Sequence, residues 1–255
     1  MSSHLSSLAR FALLLSLFMY TGCREAIPEE APPAGYRVPA AESAPAGSPV
    51  TLVMGIDGSG SGRPLRDWCF GSARAALAAA RAGDQVEVRM IGSSAFSVDL
   101  QVTRLDLPRP RAASAFDLKA RAAASNDRSI DSLRAASLAA LDSARARAPT
   151  GKTDLGGFLG ATAAVLASVP AGSRRVLVLC SDFDDTEGTP VSLDLSGTTA
   201  VLMVGAGTGD TSAEVMERQA RWTQELAGRG AQVRVMAPGS ALRPDEYLGE
   251  KEAAP

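Results

Sequence analysis

Histidine is nearly missing: among 255 residues there is one, His4, at the N-terminal extreme. Without it the chain has no imidazole for acid–base work near neutral pH and no His ligand for zinc, so any metal must be held mainly by oxygen. A dominant charge is missing too. Lys plus Arg number 26 against 28 Asp plus Glu, a net charge of -2, and neither nucleic acid nor an anionic surface is implied as a partner by charge. Long apolar runs are also lacking, since the stretch Phe11 to Tyr20 is too short to span a bilayer comfortably. What is plentiful is apolar residues, 45% of the chain, enough at this length for one large domain with extras.

The N-terminus reads as separate from that domain. Met1 to Arg10 is polar and basic, the apolar run follows, and Thr21-Gly22-Cys23 closes it with small residues, the pattern of a signal peptide over 1–23. Its ending resembles the bacterial lipoprotein signal, with Tyr20 standing where an aliphatic residue is usual. The resemblance implies lipidation of Cys23 and an address in the bacterial cell envelope, anchored to a membrane; an ordinary cleaved signal would leave the protein secreted or periplasmic. Residues 24–48, rich in Pro and Ala without apolar periodicity, read as a disordered tether, and 240–255 as a polar, frayed tail. Of the three cysteines, Cys69 and Cys180 remain. An exported chain permits a bond between them. Both lie on apolar runs, where cysteine acts as a small core residue, and buried free thiols are the expectation.

Between 49 and 239 the pattern is α/β. Val50 to Ile56, Val176 to Cys180 and Thr199 to Val204 are apolar almost throughout, as strands covered on both faces must be. Gln85 to Ile91 and Ser97 to Leu105 alternate and read as an antiparallel hairpin at a sheet edge; Gln232 to Met236 alternates as well. Helical spacing follows Pro64 through Leu65, Trp68, Cys69 and Leu77, and recurs from Leu155 to Leu166 and from Ser212 to Ala227. Ala112 to Ala148 reads as two helices interrupted near Ser125-Asn126-Asp127, with Phe116, Leu118, Ile130, Leu133, Leu138 and Leu141 inward. Strands separated by helices give right-handed parallel crossovers, hence a doubly wound, mostly parallel six-stranded sheet with helices on both faces and one antiparallel edge strand.

Ligands of such sheets bind beyond the carboxyl ends of the strands, where the winding reverses. Three loops there carry oxygen donors: Asp57, Ser59 and Ser61 after the first strand, Thr153 before a helix, and Asp182 after a central strand. Two carboxylates and three hydroxyls suit a hard cation, Mg2+ best, since it keeps waters and uses few protein carboxylates; Mn2+ or Ca2+ are substitutes. Asp57-Gly58-Ser59-Gly60-Ser61, Thr153 in T-D-L-G-G and Asp182 after V-L-V-L-C-S resemble the metal-ion-dependent adhesion site of von Willebrand factor type A domains. The resemblance covers roughly Val50 to Pro238 and extends to V-G-A-G-T-G-D. It implies a Rossmann-like fold, direct ligation by Ser59, Ser61 and Thr153, and water-mediated roles for Asp57 and Asp182. It also implies a partner protein whose Asp or Glu carboxylate completes the shell, with no catalysis.

Two alternatives compete. Asp182-Phe183-Asp184-Asp185-Thr186 fits the D-x-D-x-T loop of haloacid-dehalogenase-like phosphatases, with Asp182 as nucleophile and Asp184 as acid/base, but only Lys251 is left to serve as the later lysine. The chain could also be a structural lipoprotein module whose metal site does not function. Gly151-Lys152-Thr153 imitates a phosphate loop without the glycine or strand that should precede it. Glycines 205, 207 and 209 lack dinucleotide spacing and read as a tight turn.

Overall fold

Val50–Asp57 (β1) is buried at all eight positions, because it is central in its sheet and has helices above and below. The computed structural model describes residues 48–93, 100–109, 119–147, 151–170, 172–189 and 193–243. The signal, Cys23, the tether up to 47 and the tail beyond 243 lie outside them. After β1 come a 3-10 turn at Arg63–Leu65, α1 (Arg66–Ala79), β2 (Gln85–Ile91), β3 (Gln101–Asp106) and α2 (Lys119–Arg145). Then follow α3 (Leu155–Ala167), β4 (Arg174–Ser181), β5 (Thr198–Val204), α4 (Ser212–Gly228) and β6 (Gln232–Met236). The strand order is β3-β2-β1-β4-β5-β6, with β3 antiparallel to β2 and every other pairing parallel. This is the doubly wound architecture read from the sequence.

Alternation along the central strands divides the interior into two cores. Leu52, Met54 and Ile56 of β1, Val176 and Val178 of β4 and Met203 of β5 meet Cys69, Phe70 and Leu77 of α1 and Leu141 of α2. Val53, Leu177, Leu179 and Leu202 point the other way, against Leu155, Phe158 and Leu159 of α3 and Trp222 and Leu226 of α4. Gly55 makes the second packing possible, for a Cβ there would lie 2.7 Å from the Phe158 ring. Phe158 occupies the room that the missing side chain leaves.

Four expectations need correction. The helix expected to break near Ser125 runs unbroken over 27 residues. Ser, Asn and Asp each weaken a helix interior by only about 0.5 kcal/mol, too little to stop one flanked by alanine and packed against the sheet. Leu133, expected inside that helix's buried face, is 43% exposed, because the buried stripe is centred on Ile130, Ser137, Leu141 and Ala144. Phe116 and Leu118 lie outside the described residues. The hairpin lies at the sheet edge as expected, with β3 outermost, but β2 inside it is not half-exposed: its Glu87 is buried, bonded to Arg89 at 3.1 Å. Of the partner strand expected from Ser97, the structure shows Gln101–Asp106 and does not describe 94–99.

The fourth correction concerns the thiols. Cys69 and Cys180 are bonded, with their Cα atoms 5.7 Å apart and both residues fully buried. Cys69 faces the sheet from α1, and Cys180 holds the last position of β4 that points to the same core. Core placement was rightly inferred, but the bond follows from a packing contact between elements 111 residues apart.

Candidate cation site at the switch of the winding

From β1 the chain winds outward to β2 and β3; from β4 it winds the other way to β5 and β6. The reversal therefore falls between β1 and β4, whose register pairs Ile56 with Cys180. One step further along the two parallel strands stand Asp57 and Ser181, and then Asp182. Two carboxylates are brought to one end of the sheet by register alone.

Asp57 is buried and fully engaged. Its Oδ1 accepts from the Ser59 backbone N–H at 2.8 Å and from Thr153 Oγ1 at 3.4 Å, and its Oδ2 accepts from Ser181 Oγ at 2.6 Å. Ser59 Oγ lies 3.0 Å from Ser61 Oγ and accepts from the Gly62 N–H at 3.2 Å. Thr153 is buried immediately before α3, a helix capped by Asp154, whose Oδ1 accepts from the Gly157 N–H at 2.7 Å. The five residues singled out in the sequence thus share one end of the sheet, Asp57 at their centre.

Asp182 differs from Asp57. It is 1% exposed, its Oδ1 accepts from the Asp184 N–H at 3.0 Å, and its Oδ2 has no hydrogen-bond partner. Burial raises its pKa above the usual carboxylate range; the Asp184 N–H relieves part of the shift, the negative charge of Asp57 adds to it, and the Ser61 hydroxyl and Arg218 relieve a little more. A buried carboxylate oxygen without a donor, beside a second carboxylate, is unfavourable as an anion unless it takes up a proton or a cation lies near. Among the described residues no group of three or more His, Cys, Asp or Glu is poised to hold a metal. Any cation here would depend on the hydroxyls of Ser59, Ser61 and Thr153 and on water, a donor set suited to Mg2+. The residues present fit that ion.

The supporting roles of three residues escaped sequence reading, which noticed Asp185 and Thr186 only as part of the D-x-D-x-T segment. Ser181 braces Asp57. Thr186 grips Thr153 twice, its Oγ1 accepting from the Thr153 N–H at 3.0 Å and donating to the Thr153 carbonyl at 3.1 Å. Asp185 Oδ1 accepts from the N–H groups of Leu155 and Gly188, both at 3.3 Å, tying the loop after β4 to the start of α3. Burial raises the Asp185 pKa, and these N–H groups offset part of the rise. The signal for these residues was position, within four residues of Asp182. Asp184 is exposed, and Lys152 pairs with Glu187 at the rim at 2.8 Å.

No protein-family model matches the chain, and no curated protein matches it. Among solved structures, it is similar to a von Willebrand factor type A protein from Catenulispora acidiphila, at 17% identity and a TM-score of 0.49, over 79% of this chain and 41% of that one. It is also similar to an aerotolerance-related membrane protein from Bacteroides fragilis, at 15% identity and a TM-score of 0.40, over 78% of this chain and 98% of that one. A third, the pilus adhesin SpaC from Lactobacillus rhamnosus GG, is matched at 18% identity and a TM-score of 0.29, over 55% of this chain and 15% of that one. The chain thus spans less than half the length of the Catenulispora protein. Among the described residues no helix is long and apolar enough to cross a membrane.

Proposed function

We propose that this domain binds a partner protein through a divalent cation held at the end of β1 and β4, and that it is not an enzyme. Ser59, Ser61 and Thr153 would ligate the ion directly, and Asp57 and Asp182 would hold its waters and supply charge. Mg2+ is the first choice, with Mn2+ or Ca2+ as substitutes. An Asp or Glu of the partner would complete the shell. With few direct carboxylates, the bound ion stays electron-poor and attracts an incoming anionic oxygen. The observation that carries this reading is the buried, unpartnered Oδ2 of Asp182 beside the charge of Asp57.

The protein is proposed to act in the bacterial cell envelope, exported and lipid-anchored through Cys23. Besides the signal pattern, the Cys69–Cys180 bond supports export, because disulfides persist in oxidising compartments.

Titration calorimetry tests the site. Wild type should bind Mg2+, and Asp57→Ala should weaken binding by about 100-fold. The variant should stay folded though less stable, because Asp57 lies outside both apolar cores and its removal lifts a charge that opposes Asp182, while the bonds to Ser59, Thr153 and Ser181 are lost. Unchanged affinity in Asp57→Ala would refute the site. Capture of a partner from envelope extract should be lost in EDTA and restored by Mg2+; capture indifferent to EDTA would refute the cation's role.

A further inference from the structure

The three donor loops leave one side of the site to a fourth segment, Gly205 to Asp210, between β5 and α4. It touches the donors twice. The Thr208 N–H donates to the Ser61 carbonyl at 3.2 Å, fixing the backbone of one hydroxyl donor. Gly207 is buried so close to Asp182 that a Cβ on it would lie 2.5 Å from the unpartnered Oδ2 and 3.2 Å from Cγ. No side chain fits there unless the Asp182 carboxylate turns away.

The segment is itself tied down. Asp210 Oδ2 accepts from the Gly207 N–H at 2.6 Å and from Arg218, which reaches back from the second turn of α4. The Asp210–Arg218 pair is mostly buried, with side chains 17% and 14% exposed. One carboxylate oxygen therefore fixes Gly207 and anchors the turn to a helix. Thr211 caps that helix reciprocally with Glu214, so the anchor is rigid.

Resting on the cation site proposed above, we infer that Gly205 to Asp210 is a fourth positioning loop of that site. Gly207 keeps open the space into which Asp182 Oδ2 points, and Asp210 with Arg218 holds Gly207 in place. Neither Asp210 nor Arg218 is a ligand; they act through Asp182 and Ser61.

The test uses the full chain and Mg2+ as probe. Gly207→Ala should bind Mg2+ at least about tenfold more weakly than wild type, the size of effect seen when residues behind metal ligands are changed. Melting of the metal-free proteins supplies a reading that ligation does not enter. Gly207→Ala should melt lower than wild type, and the loss should shrink in the Asp182→Ala background, where the closest clash partner is gone and only Asp210 Oδ2, at 3.0 Å, remains. Equal losses in both backgrounds, or unchanged Mg2+ affinity in Gly207→Ala, would overturn the inference. Should Gly207→Ala fail to fold, Asp210→Asn takes its place, with about a tenfold loss of affinity expected and an unchanged affinity overturning the inference. Absence of Mg2+ binding in wild type would refute the cation site itself, and this inference with it; binding in wild type and in Gly207→Ala alike would refute only the inference.

Discussion

Replacing both bonded cysteines, Cys69→Ala with Cys180→Ala, should lower the melting temperature by about 10 °C. The bond spans 111 residues, for which restriction of the unfolded chain corresponds to about 4–5 kcal/mol in the chain-entropy account, with 2–4 kcal/mol typical of measured cases. For a domain of this size each kcal/mol shifts melting by about 2–4 °C. Both sulfurs lie in the core between α1 and β4, so a thiol reductant should have little effect on the native protein and a large one once denaturant opens it. Scanning calorimetry of the double variant decides the matter. Melting within 2 °C of wild type would mean the bond contributes nothing measurable.

Phe183→Ala should lose about 3–5 kcal/mol in denaturant titration. The ring is fully buried against Trp222, with centroids 6.1 Å apart, in the core beneath α3 and α4. It also sits at φ 61, the left-handed region that L-residues avoid. That backbone costs roughly 1–2 kcal/mol, and burial of the ring offsets it. The turn buries Phe183 and leaves Asp182, one residue earlier, in the donor network. A second substitution separates the two contributions. Phe183→Gly loses the same ring but relieves the backbone, so it should be no less stable than Phe183→Ala, against the usual ranking of glycine below alanine. A loss under about 1 kcal/mol in Phe183→Ala would mean the ring is not what holds this turn.

Much of the fold was legible because apolar continuity and alternation report how many faces of a strand are covered. The unbroken runs of β1, β4 and β5 placed those strands inside the sheet, and the donor segments could then be located at strand ends. Glu87 shows where the rule stops. Alternation marked β2 as half-exposed, whereas its polar position is buried with Arg89, a pairing across two positions that periodicity does not register. The break expected in α2 failed because weak propensity at Ser125-Asn126-Asp127 competes with packing along a 27-residue element. In the candidate site, Asp57, Ser59, Ser61, Thr153 and Asp182 stood out by chemistry and spacing. Ser181, Thr186 and Gly207 did not: hydroxyls and glycines are common in loops, and their significance depends on which loop lies opposite.

The chain enters β1 at Pro49 and reaches the donor network at Asp57, at the other end of the same strand. Eight residues of strand, about 26 Å, separate the two points. A partner held at the proposed cation site and pulling against the proposed lipid anchor at Cys23 would stretch the domain along β1. That strand is registered in parallel with β2 through seven residue pairs and with β4 through seven more. Tension along it would shear both ladders together instead of peeling one bond at a time. Resistance to such tension is a matter of how fast the sheet gives way, not of equilibrium stability. Under the proposed function, the central position of β1 would then be a mechanical property as much as a consequence of its apolar sequence.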